Sequence, residues 1–143
     1  MSDERPVYIL DSFALLAYLD GVGGAERVQE VLEDASQGLC RAVISLINLG
    51  EVMFITEREV GLIQAQSVLA VLDQLPIEIL PVKQESVLSA AHIKANYKLS
   101  YAGAFAAAAA QDLSGILLTG DPEFASLSKL FALEWLVDNR RKA

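Results

Sequence analysis

Short apolar runs alternate with helical segments along the chain, and this alternation constrains the fold more than any other feature. The run "PVYIL" (6–10) is too short for a helix and rich in strand-forming residues, so it predicts a buried strand. Strands separated by helices form parallel sheets that are covered on both faces. We therefore predict an α/β fold whose central parallel sheet has four or five strands, with helices on both faces. The further predicted strands are "LCRAVI" (39–44), "IEILPV" (77–82), "GILLT" (115–119) and, as a fifth, "LEWLV" (133–137).

The composition is typical of one compact domain, which we expect to span residues 1–143. Hydrophobic residues make up 53% of the 143 residues and charged residues 21%, which is enough apolar surface for a sizeable core. Every apolar run is shorter than the roughly 18 residues of a membrane span, and the start of the chain lacks a signal-peptide pattern. The single cysteine, Cys40, allows no internal disulfide. These features predict a cytoplasmic protein with no membrane partner.

The net charge of −8 argues against a domain that binds nucleic acid through a broad basic surface. The basic cluster "NRRKA" (139–143) is interpreted as a solvated terminus. An acidic chain can still act on nucleic acid when a divalent metal ion neutralises its site. The positions of the carboxylates therefore matter more than the overall charge.

Two aspartates follow predicted strands at equivalent places. Asp11 comes directly after "VYIL", and Asp121 comes two residues after "ILLT". Either aspartate alone is explained by helix capping, because Asp commonly begins a helix that follows a strand. In an open parallel sheet, however, ligands bind beyond the carboxyl ends of the strands. The pair therefore indicates a candidate acidic site.

Glu51 is the third unusual acid. It lies on the apolar helical segment "SLINLGEVMFITERE" (45–59), on the same face as Asn48. A carboxylate on an apolar face is costly unless it pairs with a Lys or Arg or coordinates a cation, and both interpretations remain open. If Asp11, Glu51 and Asp121 converge, their oxygens suit Mg²⁺ or Mn²⁺, which promote phosphodiester displacement.

Other kinds of site find less support in the sequence. The single histidine, His92, lies on an amphipathic segment and is interpreted as a boundary or surface residue, and the chain has no nucleophile-elbow motif. Cys40 precedes a predicted strand and is interpreted as a core residue. The glycine-rich "GVGG" (21–24) follows a helix instead of a strand, so it predicts a turn and no nucleotide site.

Four motifs resemble, in order, the signatures of PIN-domain proteins and of the VapC-type toxin ribonucleases in particular. The resemblance covers nearly the whole chain and is specific, because its last two motifs match over many consecutive positions. It implies an α/β/α sandwich around a parallel sheet, with the first and fourth strands adjacent and Asp11 and Asp121 close together. The motifs are "VYILDSFALLAYL", "SLINLGEVMF", "LSYAGAFAAAAA" and "LLTGDPEF".

The resemblance also implies a quartet of acids that binds Mg²⁺ or Mn²⁺ and cleaves RNA. Its first acid corresponds to Asp11, the glutamate of "NLGEV" to Glu51, and its last aspartate to Asp121, with Thr119 as a supporting hydroxyl. The third acid normally lies in an "SYADA"-like motif, where this chain has Gly103. The chain therefore departs from its family at a metal ligand.

Local helix chemistry independently asks for an acid at position 103. Ser100 is the predicted N-cap, which makes Gly103 the third helical residue, where an acidic side chain completes a capping box and faces the positive end of the helix. Asp112 does not replace it, because it lies about 13 Å further along the helix on the opposite face. Glu123 is close in sequence to Asp121, and we expect it to stabilise the first turn of the next helix.

The predicted function is a Mg²⁺- or Mn²⁺-dependent endoribonuclease, the toxin of a VapBC-type toxin–antitoxin system, with an incomplete site. The resemblance implies an RNA substrate, a cognate antitoxin and a homodimer. The apolar segment 45–59 is a candidate contact surface for either protein partner, and Lys94 and Lys98 are candidate contacts to RNA. The alternative is a catalytically inert PIN scaffold that binds antitoxin or RNA. A metal-dependent DNA nuclease or phosphatase on the same acids is a third, weaker interpretation.

Overall fold

The chain forms a five-stranded, fully parallel sheet with the strand order β3-β2-β1-β4-β5, as seen in a computed structural model that describes residues 3–136. All five predicted strands are confirmed, with shifts of one or two residues at their ends. The basic tail and Val137, the last residue of the predicted fifth strand, lie outside the described residues. The strands are β1 Val7–Leu10, β2 Arg41–Ser45, β3 Ile77–Leu80, β4 Ile116–Thr119 and β5 Ala132–Trp135.

Six α-helices and one 3-10 helix connect the described strands. The first helix ends at Gly21, whose left-handed conformation (φ 64°) suits glycine and places its N–H on the last carbonyls of the helix. None of the helices in residues 3–136 has the length and apolarity needed to cross a bilayer. The helices are α1 Ser12–Asp20, α2 Ala25–Ser36, α3 Leu46–Val60, α4 Leu62–Leu72, α5 Gln84–Asn96, α6 Tyr101–Asp112 and the 3-10 helix Pro122–Leu127.

Both faces of the sheet are covered, as predicted for an α/β/α sandwich. Ile9 and Leu117 point to one face, where they join the core formed with α5 and α6. Leu10 and Leu118 point to the other face, which is covered by α1 and α2. Residues 104–110 of α6, which are alanines apart from Phe105, are all buried, and their small side chains allow this helix to approach the strands closely.

The sheet has its topological switch point between β1 and β4. These strands are direct neighbours, with Leu10 opposite Leu118, although more than a hundred residues separate them in the chain. From β1 the chain continues to β2 and β3 on one side of β1, whereas β4 and β5 are added on its other side. The predicted adjacency of the first and fourth strands is therefore confirmed, and Asp11 and Asp121 follow strands that end side by side.

Candidate acidic site at the carboxyl edge of the sheet

Asp11 lies between the end of β1 and the start of α1, and both of its carboxylate oxygens are engaged. It is only 3% exposed. Its Oδ1 accepts a hydrogen bond from the backbone N–H of Ala14 at 2.8 Å, so Asp11 is the N-cap of α1. Its Oδ2 accepts a hydrogen bond from the hydroxyl of Thr119 at the end of β4. Asp11 therefore both caps α1 and contacts the end of the neighbouring strand β4.

Thr119 links the two aspartates of the switch point. Its hydroxyl donates to Asp11, and its oxygen accepts a hydrogen bond from the backbone N–H of Asp121 at 3.0 Å. The residue is completely buried, so these bonds form away from water. Thr119 thus contacts both aspartates, and its predicted role as a supporting hydroxyl of a metal site remains a prediction.

The carboxyl group of Asp11 is strongly perturbed. Burial raises its pKa from an ordinary value of 3.8 to about 7, because the ionised carboxylate loses its contact with water. The hydrogen bonds from Thr119 and Ala14 lower the pKa, while the nearby charges of Asp121 and Glu123 raise it. The ionised form of Asp11 is therefore disfavoured in its present surroundings, and a nearby positive charge would stabilise it.

Asp121 begins the 3-10 helix at the same edge of the sheet. Its Oδ1 accepts a hydrogen bond from the backbone N–H of Glu123 at 3.0 Å, which makes Asp121 the N-cap of that helix. The residue is half-buried. Asp121 is thus a helix cap, as Asp11 is. The capping hydrogen bond orients the Asp121 carboxylate at the carboxyl edge of the sheet.

Asn48 is a buried polar residue whose importance was missed in the sequence. Its Nδ2 donates to the backbone oxygen of Ala102 at 3.1 Å and to the Ser12 hydroxyl at 3.4 Å. Its Oδ1 accepts a hydrogen bond from Ser45 at 2.5 Å. Asn48 thus ties together the first turns of α1, α3 and α6. The signal in the sequence was the "SLIN" pattern, in which an N-cap serine is followed three residues later by an amide.

Glu51 lies one turn after Asn48 on α3, the helix that packs against both α1 and α6. Its side chain is half-buried. A residue three positions after Asn48 lies near the same face of the helix. Its predicted role as a third carboxylate of the site remains a prediction.

The N-terminus of α6 contains Gly103, as expected, but a different acid serves it. Ser100 is the N-cap, and its Oγ accepts a hydrogen bond from the Gly103 N–H at 3.0 Å. Glu123 reaches this N-cap from the 3-10 helix: its Oε1 accepts from the Ser100 N–H at 2.7 Å, and its Oε2 accepts from the Ser100 hydroxyl at 3.1 Å. Glu123 lies in the first turn of the 3-10 helix, as expected, and its carboxylate also reaches across to the N-cap of α6.

The carboxylate oxygens at this edge are suitable ligands for a divalent ion, but they do not form a complete coordination shell. Among residues 3–136, no three Asp, Glu, His or Cys side chains are arranged to hold a metal ion. Mg²⁺ commonly uses only one or two carboxylates, with waters and substrate phosphates completing its shell. The buried, charge-repelled carboxylate of Asp11 beside Asp121 fits that mode of binding. A weakly held ion with two protein ligands is the arrangement that these residues can support.

The other residues discussed in the sequence analysis lie away from this acidic edge or on the surface. His92 is exposed on α5, and Cys40 is buried in the core, as both were interpreted. Lys98 is exposed, and Lys94 donates from Nζ to the backbone oxygen of Leu99 at 2.9 Å. Lys94 therefore lies next to the N-cap of α6, which places one cation near the acidic edge.

The helices α3 and α4 present apolar side chains to solvent. Phe54 is 58% exposed, Val60 61% and Ile63 82%. A groove lies beside them between α1 and the α3–α4 pair. The apolar character predicted for the segment 45–59 is therefore only partly explained by the core. The groove is lined by Leu19, Asp20, Thr56, Val60, Gln64, Val68 and Val71.

Comparison with known proteins identifies the fold. The family model "PIN domain" matches residues 8–130. VapBC2 from Rickettsia felis, bound to a DNA fragment from its promoter, is 18% identical over 91% of this chain and 98% of that chain, with a TM-score of 0.71. A toxin–antitoxin complex from Klebsiella pneumoniae is 23% identical over 84% and 92%, with a TM-score of 0.64.

A third structure adds a described activity. VapC20 from Mycobacterium tuberculosis, a toxin that cleaves the sarcin–ricin loop, is 16% identical over 84% of this chain and 94% of that chain, with a TM-score of 0.67. At these identities the likeness establishes the fold alone. No curated protein matches the sequence significantly.

Proposed function

The chain belongs to the PIN domain family, and from this we propose that it is the toxin component of a VapBC-type toxin–antitoxin system, with endoribonuclease activity that depends on Mg²⁺ or Mn²⁺. One observation carries the proposal: at the switch point of the sheet, the buried carboxylate of Asp11 is joined to Asp121 through the buried hydroxyl of Thr119. Similarity to toxin–antitoxin structures, including one described as a toxin that cleaves the sarcin–ricin loop, supports it.

In the proposed site, Asp11 and Asp121 hold the ion, and Glu51 orients the attacking water and accepts its proton. When bound, the ion lowers the pKa of water and offsets the charge of the phosphate. Thr119 keeps both aspartates in register through its two hydrogen bonds. Asn48 holds α3 against α6 and so positions Glu51. The neighbouring cation Lys94, together with Lys98, attracts the RNA backbone.

Cleavage of RNA by the purified chain tests this proposal. Structured and single-stranded RNA should be cleaved with Mn²⁺ or Mg²⁺ and left intact with EDTA. We expect Asp11→Asn and Asp121→Asn to lower the rate at least about 100-fold, as is common when a catalytic group is lost. Single-stranded DNA and a small phosphate ester serve as comparison substrates. Faster turnover of either would point to a DNA nuclease or a phosphatase instead.

The partner proposals rest on the exposed apolar surface of α3 and α4. We propose that this surface, with Phe54, Val60 and Ile63 at its centre, forms the contact with a second copy or with the cognate antitoxin. Exposed apolar patches of this kind commonly mark protein interfaces. A cytoplasmic location, where such toxins meet RNA, accompanies this proposal.

A second candidate function is a PIN scaffold without catalysis that still binds antitoxin or RNA. It is favoured by one specific observation: residues 3–136 contain no group of three acids arranged around a metal position. Calorimetry with Mn²⁺ separates the two candidates. Binding together with RNA cleavage supports the nuclease, whereas absence of both, with antitoxin binding retained, supports the scaffold.

A further inference from the structure

The space beside Gly103 is already filled by the side chain of another residue. A Cβ atom added at this glycine would lie 2.6 Å from Oε2 and 3.2 Å from Cδ of Glu123, and 2.9 Å from the Ser100 hydroxyl oxygen. Cβ atoms in folded proteins essentially never approach another heavy atom within 3.0 Å, so any side chain at position 103 must displace the Glu123 carboxylate. Glu123 therefore occupies this place because position 103 is glycine.

Glu123 makes the hydrogen bond that the third residue of a helix makes in a capping box. In that motif a Glu or Gln at the third helical position accepts a hydrogen bond from the backbone N–H of the N-cap residue. In α6 that position is Gly103, and Glu123 accepts the bond from the Ser100 N–H instead, at 2.7 Å. The reciprocal bond of the motif, from the Gly103 N–H to the Ser100 hydroxyl oxygen, is present at 3.0 Å. The capping box of α6 is therefore complete, but its acid comes from a residue 23 positions after Ser100.

The same glutamate belongs to the cap of its own helix. Its backbone N–H donates to Oδ1 of Asp121 at 3.0 Å, which is the N-cap bond of the 3-10 helix. This helix has only six residues, and 3-10 hydrogen bonds have poorer geometry than those of an α-helix, so its start depends on contacts from outside. The backbone and the side chain of Glu123 thus join the first turns of two helices.

We propose that Glu123 is a positioning residue, which fastens the start of the 3-10 helix, and with it Asp121, to the N-terminus of α6 by supplying the capping carboxylate that position 103 lacks. The place beside the N-cap of α6 holds one side chain, from position 103 or from position 123. An acid introduced at position 103 therefore displaces Glu123 instead of filling a gap. The consequence for catalysis rests on the proposed function, whereas the cap and the fastening do not.

A double-mutant cycle on the melting temperature tests the shared place. Gly103→Ala gains helix propensity in any background, but with Glu123 present it also displaces the carboxylate. Its effect should therefore be more favourable, by at least about 2 °C, in a Glu123→Ala background than in the wild type. The matched control is Gly50→Ala, since Gly50 is exposed on α3 with open space beside it, and its effect should be equal in both backgrounds. Equal effects of Gly103→Ala as well would overturn the inference.

Gly103→Glu is the sharper form of this test. In a Glu123→Ala background the new glutamate can form the ordinary capping box with Ser100, so the change should raise the melting temperature. In the wild type, two carboxylates compete for one place and repel each other, so the same change should lower it. A rise of similar size in both backgrounds would contradict a shared place.

Amide hydrogen exchange separates the capping of α6 from the fastening of the 3-10 helix. In Glu123→Ala, the Ser100 amide should exchange at least about tenfold faster, since it loses a charge-assisted hydrogen bond. In Glu123→Gln, whose side-chain oxygen can still accept that bond, the rate should stay within about threefold of the wild type. The backbone amide of residue 123, which donates to Asp121, should also exchange faster in Glu123→Ala.

Gly103→Glu combined with Glu123→Ala should then divide the two amides. The Ser100 amide should recover its slow exchange, because the new acid caps α6. The amide of residue 123 should remain fast, because the capping acid now belongs to α6 itself and no longer holds the 3-10 helix. The control Glu85→Ala removes an exposed carboxylate from the first turn of α5 and should leave both amides unchanged.

Two results would overturn the inference. If the amide of residue 123 exchanges at the wild-type rate in Glu123→Ala, the glutamate caps α6 without positioning Asp121. If that amide recovers in the combined variant, its faster exchange reflects the stability of the whole chain. Should Glu123→Ala not fold, Gly103→Ala displaces the glutamate without removing it and should speed the exchange of both amides. None of these results depends on the proposed nuclease, which RNA cleavage tests separately.

Discussion

The hydroxyl of Thr119 donates a hydrogen bond to the carboxylate of Asp11 across the boundary between β4 and β1. The same hydroxyl oxygen accepts from the backbone N–H of Asp121, so one buried side chain connects both aspartates of the candidate site. Thr119 is therefore the residue that joins the two strands at the point where the site is formed.

Replacing this hydroxyl should destabilise the protein. Thr119→Val keeps the shape of the side chain but leaves the Asp11 carboxylate and the Asp121 N–H without their partner, and such a loss costs about 1–3 kcal/mol. Thr119→Ser keeps the hydroxyl and is the control. Denaturant unfolding of both variants gives the two free energies. Equal losses for Val and Ser would show that the methyl group matters and the hydrogen bonds do not.

Burial of Asp11 predicts a stability that depends on pH. Its folded-state pKa is about 7 and its ordinary value is 3.8, so the folded state holds a proton that the unfolded state releases in between. Stability should therefore fall as pH rises from about 4 to 7 and stay level above that, by up to about 4 kcal/mol.

Asp11→Asn removes this titration and isolates its effect. In EDTA, the variant should melt at a higher temperature than the wild type at pH 8, and the difference should shrink as pH falls toward 4. Melting curves at four or five pH values measure it. A difference that is constant across this range would contradict the raised pKa.

Asn48 is expected to be important for stability although it is not an acid of the site. Asn48→Ala removes the hydrogen bonds to Ala102 and Ser12 and leaves buried polar groups without partners, which costs about 1–3 kcal/mol or more. Asn96→Ala is the matched control, since its side chain makes one exposed bond on α5. Similar unfolding free energies for the two variants would argue against the linking role of Asn48.

The apolar surface of α3 and α4 should determine assembly. Ile63→Glu places a charge at the most exposed position of this surface and should convert a dimer to a monomer, with the unfolding free energy changed by less than about 0.5 kcal/mol. Leu88→Glu, at a site on α5 that is 60% exposed, is the control and should leave the dimer intact. Light scattering after size-exclusion chromatography measures the mass. Dimers of both variants would place the interface elsewhere.

Much of the fold could be predicted because its signals are local. The run "PVYIL" followed by a capping aspartate specified both β1 and the start of α1, and Ser100 was correctly identified as the N-cap of α6. Strand ends were less certain: β2 begins at Arg41 and ends at Ser45, two residues later and one residue later than expected. Ends depend on pairing with neighbouring strands, which local propensity does not contain.

The sequence by itself determined the elements, the acids at the ends of β1 and β4, and the absence of an acid at position 103. Only the tertiary structure decided which carboxylate lies beside Gly103. Asn48 bridges three helices, and Glu123 completes the cap of α6 from a position 23 residues after Ser100. Both contacts join segments that are brought together by the crossovers of a parallel sheet. Periodicity and capping rules describe neighbours in the chain, whereas this site is formed by neighbours in space.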